Sequence, residues 1–293
     1  MSLDIKTPFK KLFTNEKKLD IVILLPFTLM IVMFLFLPVI SIVTGSFKAD
    51  GAETYSLYNY TYILKSRLFR QSIYNTLKIS FSSTVIGLLI ALQGAYSFTK
   101  MENKLKDKLL LLSNMTSNFS GLPLAFAFII LLGSNGTLTL ILRYLGVIDT
   151  FNVYSETGLT ILYVYFQVPL GILLLYPSFD SIKGEWYEAS ALLGATKFQF
   201  WRKVGLPVLL PSITGTAIIL FANSMGAYAT AYGLMTSNYN LIPIRIGSLV
   251  SGDIFLKPNL AGALAMILTL ILSLIIGINQ IFIKRGERRY AQN

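Results

Sequence analysis

The stretch EWYEASALLGATKFQFWRKVGLPVLLP, residues 185–211, interrupts two long uncharged runs with a short charged segment punctuated by glycine and proline. Trp186, Ala189, Ser190 and Leu193 stand at i, i+3, i+4 and i+7, the spacing of one helical face. Gly194 follows, a residue that adopts positive φ without penalty and so ends helices. Thr196 is placed to cap a second short helix bearing Phe198 and Trp201 together with Lys197, Arg202 and Lys203. Pro207 and Pro211 then stiffen the start of the next apolar run, where a first-turn N–H has no helical partner to lose. The expected local structure is helix, glycine turn, helix and rigid strut, a shape suited to transmitting displacement.

The surrounding chain says what that loop is embedded in. Of 293 residues, 54% are hydrophobic and only 13% charged, and mean hydropathy is +0.63. So little charge cannot cover a soluble surface, so the class is an all-α polytopic membrane protein. The net charge of +11 is then read as loop charge that sets topology and meets the lipid bilayer, and no nucleic-acid partner is expected. The chain has no Cys and no His. That removes thiolate chemistry, the commonest metal ligand and the usual general base, so no catalytic residue and no metal site are assigned.

Charge-free windows predict six transmembrane helices, near 21–45, 79–99, 109–132, 157–179, 206–233 and 258–283. The first is too long for the apolar region of a signal peptide and is expected to stay as an anchor. An even number of spans places both termini on one side. Seventeen of the 25 Lys and Arg residues lie on that side, in the N-terminal segment 1–20, the loops 100–108 and 181–205, and the basic tail 284–293. Both termini and the opening stretch are therefore expected in the cytoplasm. The outer loops are 46–72, 133–156 and 234–257, the first rich in tyrosine as an interfacial belt is. Residues 73–283 form the expected core.

Within the opening stretch, Glu188-Ala189-Ser190, three residues, Gly194, nine residues, Val204, one residue and Leu206-Pro207 resemble the EAA loop of binding-protein-dependent ABC importer permeases, whose pattern is E-A-A, x3, G, x9, I, x, L-P. Ser190 and Val204 depart from it, both conservatively in shape. The resemblance runs from Asn75-Thr76 to the last span and looks closest to the spermidine/putrescine-type branch, whose relatives also carry iron(III), thiamine or phosphonate. It implies a type I importer permease fold in the bacterial cytoplasmic membrane, with the loop as a coupling helix seated in a cytoplasmic ATPase. It also implies the partners: two ATP-binding subunits holding ATP and Mg2+, a second permease forming a heterodimer, and an extracytoplasmic substrate-binding protein. No cofactor is expected in this chain, and no ATP hydrolysis. Ala189, Ser190 and Gly194 would allow close approach to the partner, Glu188 would dock or cap, and Trp186, Phe198 and Trp201 would be anchors. The competing reading is an amphipathic helix lying on the inner leaflet.

Three polar or interrupted spans are candidates for the translocation path: around Asn118 before Gly121 and Pro123, Gln167 before Pro169, and Asn223, Ser224 and Tyr228. The alternative for each is helix-to-helix hydrogen bonding. The spans hold almost no acid, so a weakly binding polar path is expected, with selectivity in the separate binding protein. An ion-coupled secondary transporter would predict inverted repeats and intramembrane ionisable groups, neither of which is evident; it and a membrane-embedded structural subunit are the alternatives.

Overall fold

The computed structural model describes residues 16–148, 151–236, 239–251 and 256–291, with 16–23 and 282–291 described by backbone only. The cations of the N-terminal segment and basic tail lie outside the described side chains. Among the described residues the elements are all helical apart from one isolated bridge between Lys48 and Tyr55. Six helical stretches among the described residues are long and apolar enough to cross a membrane.

The first crossing joins α1 (Glu16–Ile31) through a π turn to α2 (Leu37–Ser46). It is almost wholly exposed from Leu24 to Val43 and reaches the remainder chiefly through α2. After the outer helix α3 (Tyr58–Lys65) comes α4 (Arg67–Phe98), which pairs with α8 (Glu156–Asp180) along most of its length. Small residues make that pairing close. Gly87, Ala91 and Ala95 repeat every four residues on one face of α4. A Cβ at Gly171 of α8 would stand 2.7 Å from the Ala91 Cβ, and one at Gly94 would stand 2.7 Å from Ile172.

The third crossing departs from the single helix expected near 109–132. α5 (Asn103–Ser117) and α6 (Leu122–Leu132) are separate. Leu109 and Leu110 of α5 pack on the cluster of Ala91, Ala95, Phe98, Leu175 and Phe179 at one end of the α4–α8 pair. Leu124, Ala125 and Phe128 of α6 pack on Ile79, Leu159 and Leu162 at the other. The two half-helices therefore cross in tandem, although hydropathy and length alone would join α6 to the following α7 (Thr137–Tyr144) as Leu122–Tyr144.

After α9 (Gly184–Leu192) and a turn at Gly194, α10 (Lys197–Phe200), a π turn (Trp201–Gly205) and α11 (Leu206–Met225) run on without a break. The expected separate second loop helix is thus the first turn of the fifth crossing, which spans Lys197–Met225 rather than 206–233. α12 (Tyr228–Met235) and α13 (Ile242–Ser251) close the outer end against α6 and against α14 (Pro258–Ala291), respectively.

Candidate functional site

The EAA-type loop begins where Lys183 leaves helical geometry and α9 starts at Gly184. Its end is a Schellman motif: the Ala195 N–H donates to the Ser190 carbonyl at 3.0 Å and the Gly194 N–H to the Ala191 carbonyl at 2.9 Å, with Gly194 at φ +80°. Only glycine takes that conformation cheaply, which accounts for the residue type at this position. The second half starts with a full capping box. Thr196 Oγ1 accepts the Gln199 N–H at 3.3 Å, and Gln199 Oε1 accepts the Thr196 N–H at 2.8 Å.

Continuity with the fifth crossing passes through the π turn. The Leu206 N–H reaches back five residues to the Trp201 carbonyl. Pro207 explains it: having no N–H, it cannot close the next α-type bond, and its ring crowds the carbonyl four residues earlier. Trp201 turns inward, its ring edge-on to Tyr96 at 5.4 Å and tilted on Phe179 at 6.4 Å. Gly205 is required beneath it, since a Cβ there would collide with the indole.

The expected site residues therefore separate. Trp186 is 40% exposed, Phe198 72% exposed, and Leu192 and Leu193 are 91% and 88% exposed at the apex. Glu188 and Ala189 are exposed, and Glu188 has no hydrogen bond or ion pair among the described residues. Ser190 is half-buried and its hydroxyl donates to the Tyr187 carbonyl at 2.7 Å. Trp201, by contrast, packs with its own bundle and is no free anchor, while Val204 and Pro207 are half-buried and Leu206 is 50% exposed. Sequence reasoning missed Phe200, which is 3% exposed and edge-on to Tyr187 at 5.4 Å, clamping the two halves of the loop. Its only signal in the sequence is an aromatic ring, which Phe198 carries equally.

The candidate path residues also divide. Gln167 and Ser224 are buried inside the protomer, where the Gln167 amide donates to Ser83 Oγ at 3.1 Å and to Ser224 Oγ, and the two hydroxyls lie 3.0 Å apart. In this conformation they join α8, α4 and α11 rather than line a surface. Asn118, Asn223 and Tyr228 are exposed. Each stands at or near an interruption: Gly121 takes φ +78° between α5 and α6, and its N–H donates to Thr230 Oγ1 of α12 at 2.9 Å. The second interruption, at Gly226–Ala227, gives the Ala227 carbonyl to the Tyr163 hydroxyl at 3.1 Å. One backbone group at each interruption is thus satisfied by a side chain of the protein itself, as hydrocarbon surroundings favour.

At the outer end the Asn75-Thr76 pair anchors the segment leading into α13. Thr76 Oγ1 accepts the Ile242 N–H at 2.9 Å, and Asn75 donates to the Asn240 carbonyl at 3.1 Å. Beside them Glu156 pairs with Lys78 at 2.7 Å and accepts the Tyr239 hydroxyl at 3.1 Å. Burial, followed by the neighbouring Glu156 charge, holds the Tyr239 hydroxyl protonated well above the usual phenol range.

Comparison with known proteins follows this geometry. A family model described as "Binding-protein-dependent transport system inner membrane component" matches residues 83–289. The spermidine/putrescine transport system permease protein PotB of Haemophilus influenzae is 26% identical over 255 residues, covering 84% of this chain and 87% of PotB. The trehalose transport system permease protein SugB of Mycobacterium tuberculosis is 26% identical over 259 residues, covering 84% and 89%. Among solved structures, a bacterial ABC transporter importing the acidic polysaccharide alginate contains a chain that superposes with a TM-score of 0.74 at 18% identity, covering 94% of this chain and 98% of that one.

Proposed function

The chain belongs to the family of binding-protein-dependent transport system inner membrane components, and from that premise we propose that it forms half of the translocation path of an ATP-driven polyamine importer. The observation that carries the coupling role is the bent loop at residues 184–205. It presents an exposed apolar apex, is locked by a Schellman motif and a capping box, and is continuous with the fifth crossing. Two cytoplasmic ATPase subunits bind and hydrolyse ATP with Mg2+. One of them receives Leu192, Leu193, Phe198 and Trp186, with Glu188 at the contact and Ala189 allowing close approach.

When the ATPases close, displacement of α9 passes through the Tyr187–Phe200 clamp and the helix Lys197–Met225 to the interruptions near Asn118 and Asn223. A second, different permease supplies the other half of the path, and an extracytoplasmic binding protein delivers the cargo. The likeness to PotB across most of both chains supports a polyamine cargo. The test is reconstitution of the assembled transporter in proteoliposomes with its binding protein and either spermidine, putrescine or trehalose. Spermidine- or putrescine-stimulated ATP hydrolysis with uptake is the expected result. Stimulation by trehalose alone would replace the cargo, and hydrolysis indifferent to Gly194→Val in this chain would remove the coupling role.

A further inference from the structure

Behind the loop, between α9 and the cytoplasmic ends of α4 and α8, lies a cavity of ≈ 390 Å³. It is distinct in character from the apolar grooves elsewhere on the bundle, whose walls are almost entirely hydrocarbon. Its wall includes the aromatic rings of Tyr96, Tyr187 and Trp201, and charged side chains contribute as well: Lys183 and Lys197 against a single carboxylate, Asp180. Neither lysine has an acidic partner among the described residues, and Asp180 is engaged by the Tyr176 hydroxyl at 3.1 Å. Positive charge is therefore in excess in a concave site whose wall is part aromatic and part polar.

A second feature adds to this bias. Gly184, the first residue of α9, also lines the cavity, so the positive end of that helix dipole borders the same space. An anion alone would leave the aromatic wall unused, and an apolar molecule alone would leave two ammonium groups uncompensated. A phosphate ester satisfies both: the phosphate meets Lys183 and Lys197, and its organic part covers the rings.

We propose that this cavity binds a phosphate ester, and that the ligand bridges the coupling helix to the transmembrane bundle. Its two possible sources are a phospholipid headgroup of the inner leaflet and a soluble phosphate compound. The headgroup is the source the position favours, since the cavity lies at the ends of the spanning helices α4 and α8, beside Tyr96, Tyr187 and Trp201, residue types that gather at membrane interfaces. Bound there, the phosphate would tie Lys183 at the start of α9 to Lys197 at the start of the fifth crossing, and so hold the loop at one angle.

The binding is read directly and does not depend on the transported cargo or on ATP hydrolysis. The assembled transporter, purified in detergent, is examined by native mass spectrometry for retained phosphatidylglycerol and phosphatidylethanolamine, and in a second arm titrated with inorganic phosphate and AMP without lipid. The expected result is retention that weakens at least about tenfold in the double variant Lys183→Gln/Lys197→Gln, the loss of two charge-assisted contacts. The control Arg202→Gln/Lys203→Gln, which removes loop cations outside the cavity, should retain the ligand as the parent does. Binding of AMP or inorganic phosphate with the same lysine dependence, in place of lipid, supports the site with a soluble source. Equal retention in the cavity variant and parent, or an equal fall in both double variants, overturns it.

Discussion

Gln167 shows how one polar residue in an apolar helix supports two readings, a transport path and a bond between helices. A glutamine deep in an apolar helix suggests a pore, yet here its amide is spent on Ser83 and Ser224, and its Oε1 is buried with no partner. Hydrogen bonds between membrane helices contribute only ~0.6 kcal/mol on average. Gln167→Leu removes the orphaned oxygen and leaves Ser83 and Ser224 paired at 3.0 Å. Unfolding of the purified complex in graded SDS should therefore change by less than about 1 kcal/mol. If transport falls while that stability holds, Gln167 faces the path in another conformation. Gly171 is the opposite case. Leucine there has no space against Ala91 and should destabilise by about 1–3 kcal/mol or more, read by the same unfolding curve.

At the scale of elements, the loop's beginning and its turn were readable from sequence because their residues have local reasons. Gly194 sits where φ is positive, and Thr196 caps through its own hydroxyl. What lay beyond reading was tertiary. Helical periodicity places Trp201 and Phe198 in one segment but does not say that the first turns into the bundle and the second away from it. The polar residues around Asn118 and Asn223 flag both spans, but they do not say that the helices break at Gly121 and Gly226. Thr196→Ala should cost ~0.5–2 kcal/mol at the start of the fifth crossing, visible as faster amide exchange confined to residues 196–200. Pro207→Ala restores an N–H and lets the π turn relax to α geometry. The turn before it would then rotate relative to the span, carrying Phe198 and the loop with it. ATP hydrolysis should persist while cargo moved per ATP drops, whereas unchanged coupling would mean that the π turn does not set the loop's angle.

For the molecule as a whole, the six crossings were the most legible feature, since length and hydropathy bound the spans, and the cation asymmetry predicts their direction. Less legible was how little the first crossing contributes to the interior: it joins the rest through α2 against α14, and the outer loop is fastened by Asp50, whose carboxylate accepts the Asn259 and Leu260 N–H groups at 2.9 and 3.2 Å. No sequence pattern announces a cap supplied from so far along the chain. Orientation itself has a clean test because the chain contains no Cys. Cysteine introduced at Leu193, 88% exposed at the loop apex, and at Tyr144, 92% exposed at the end of α7, should label in opposite ways with a membrane-impermeant maleimide on intact cells. Tyr144→Cys should react at once, and Leu193→Cys only after the membrane is opened. The seventeen cations on the loop side make the reverse arrangement electrostatically costly, at roughly the per-residue weight that sets topology in short loops. Reaction of Leu193→Cys in sealed cells would put the lever on the side without ATP, and with it the whole coupling scheme would fail.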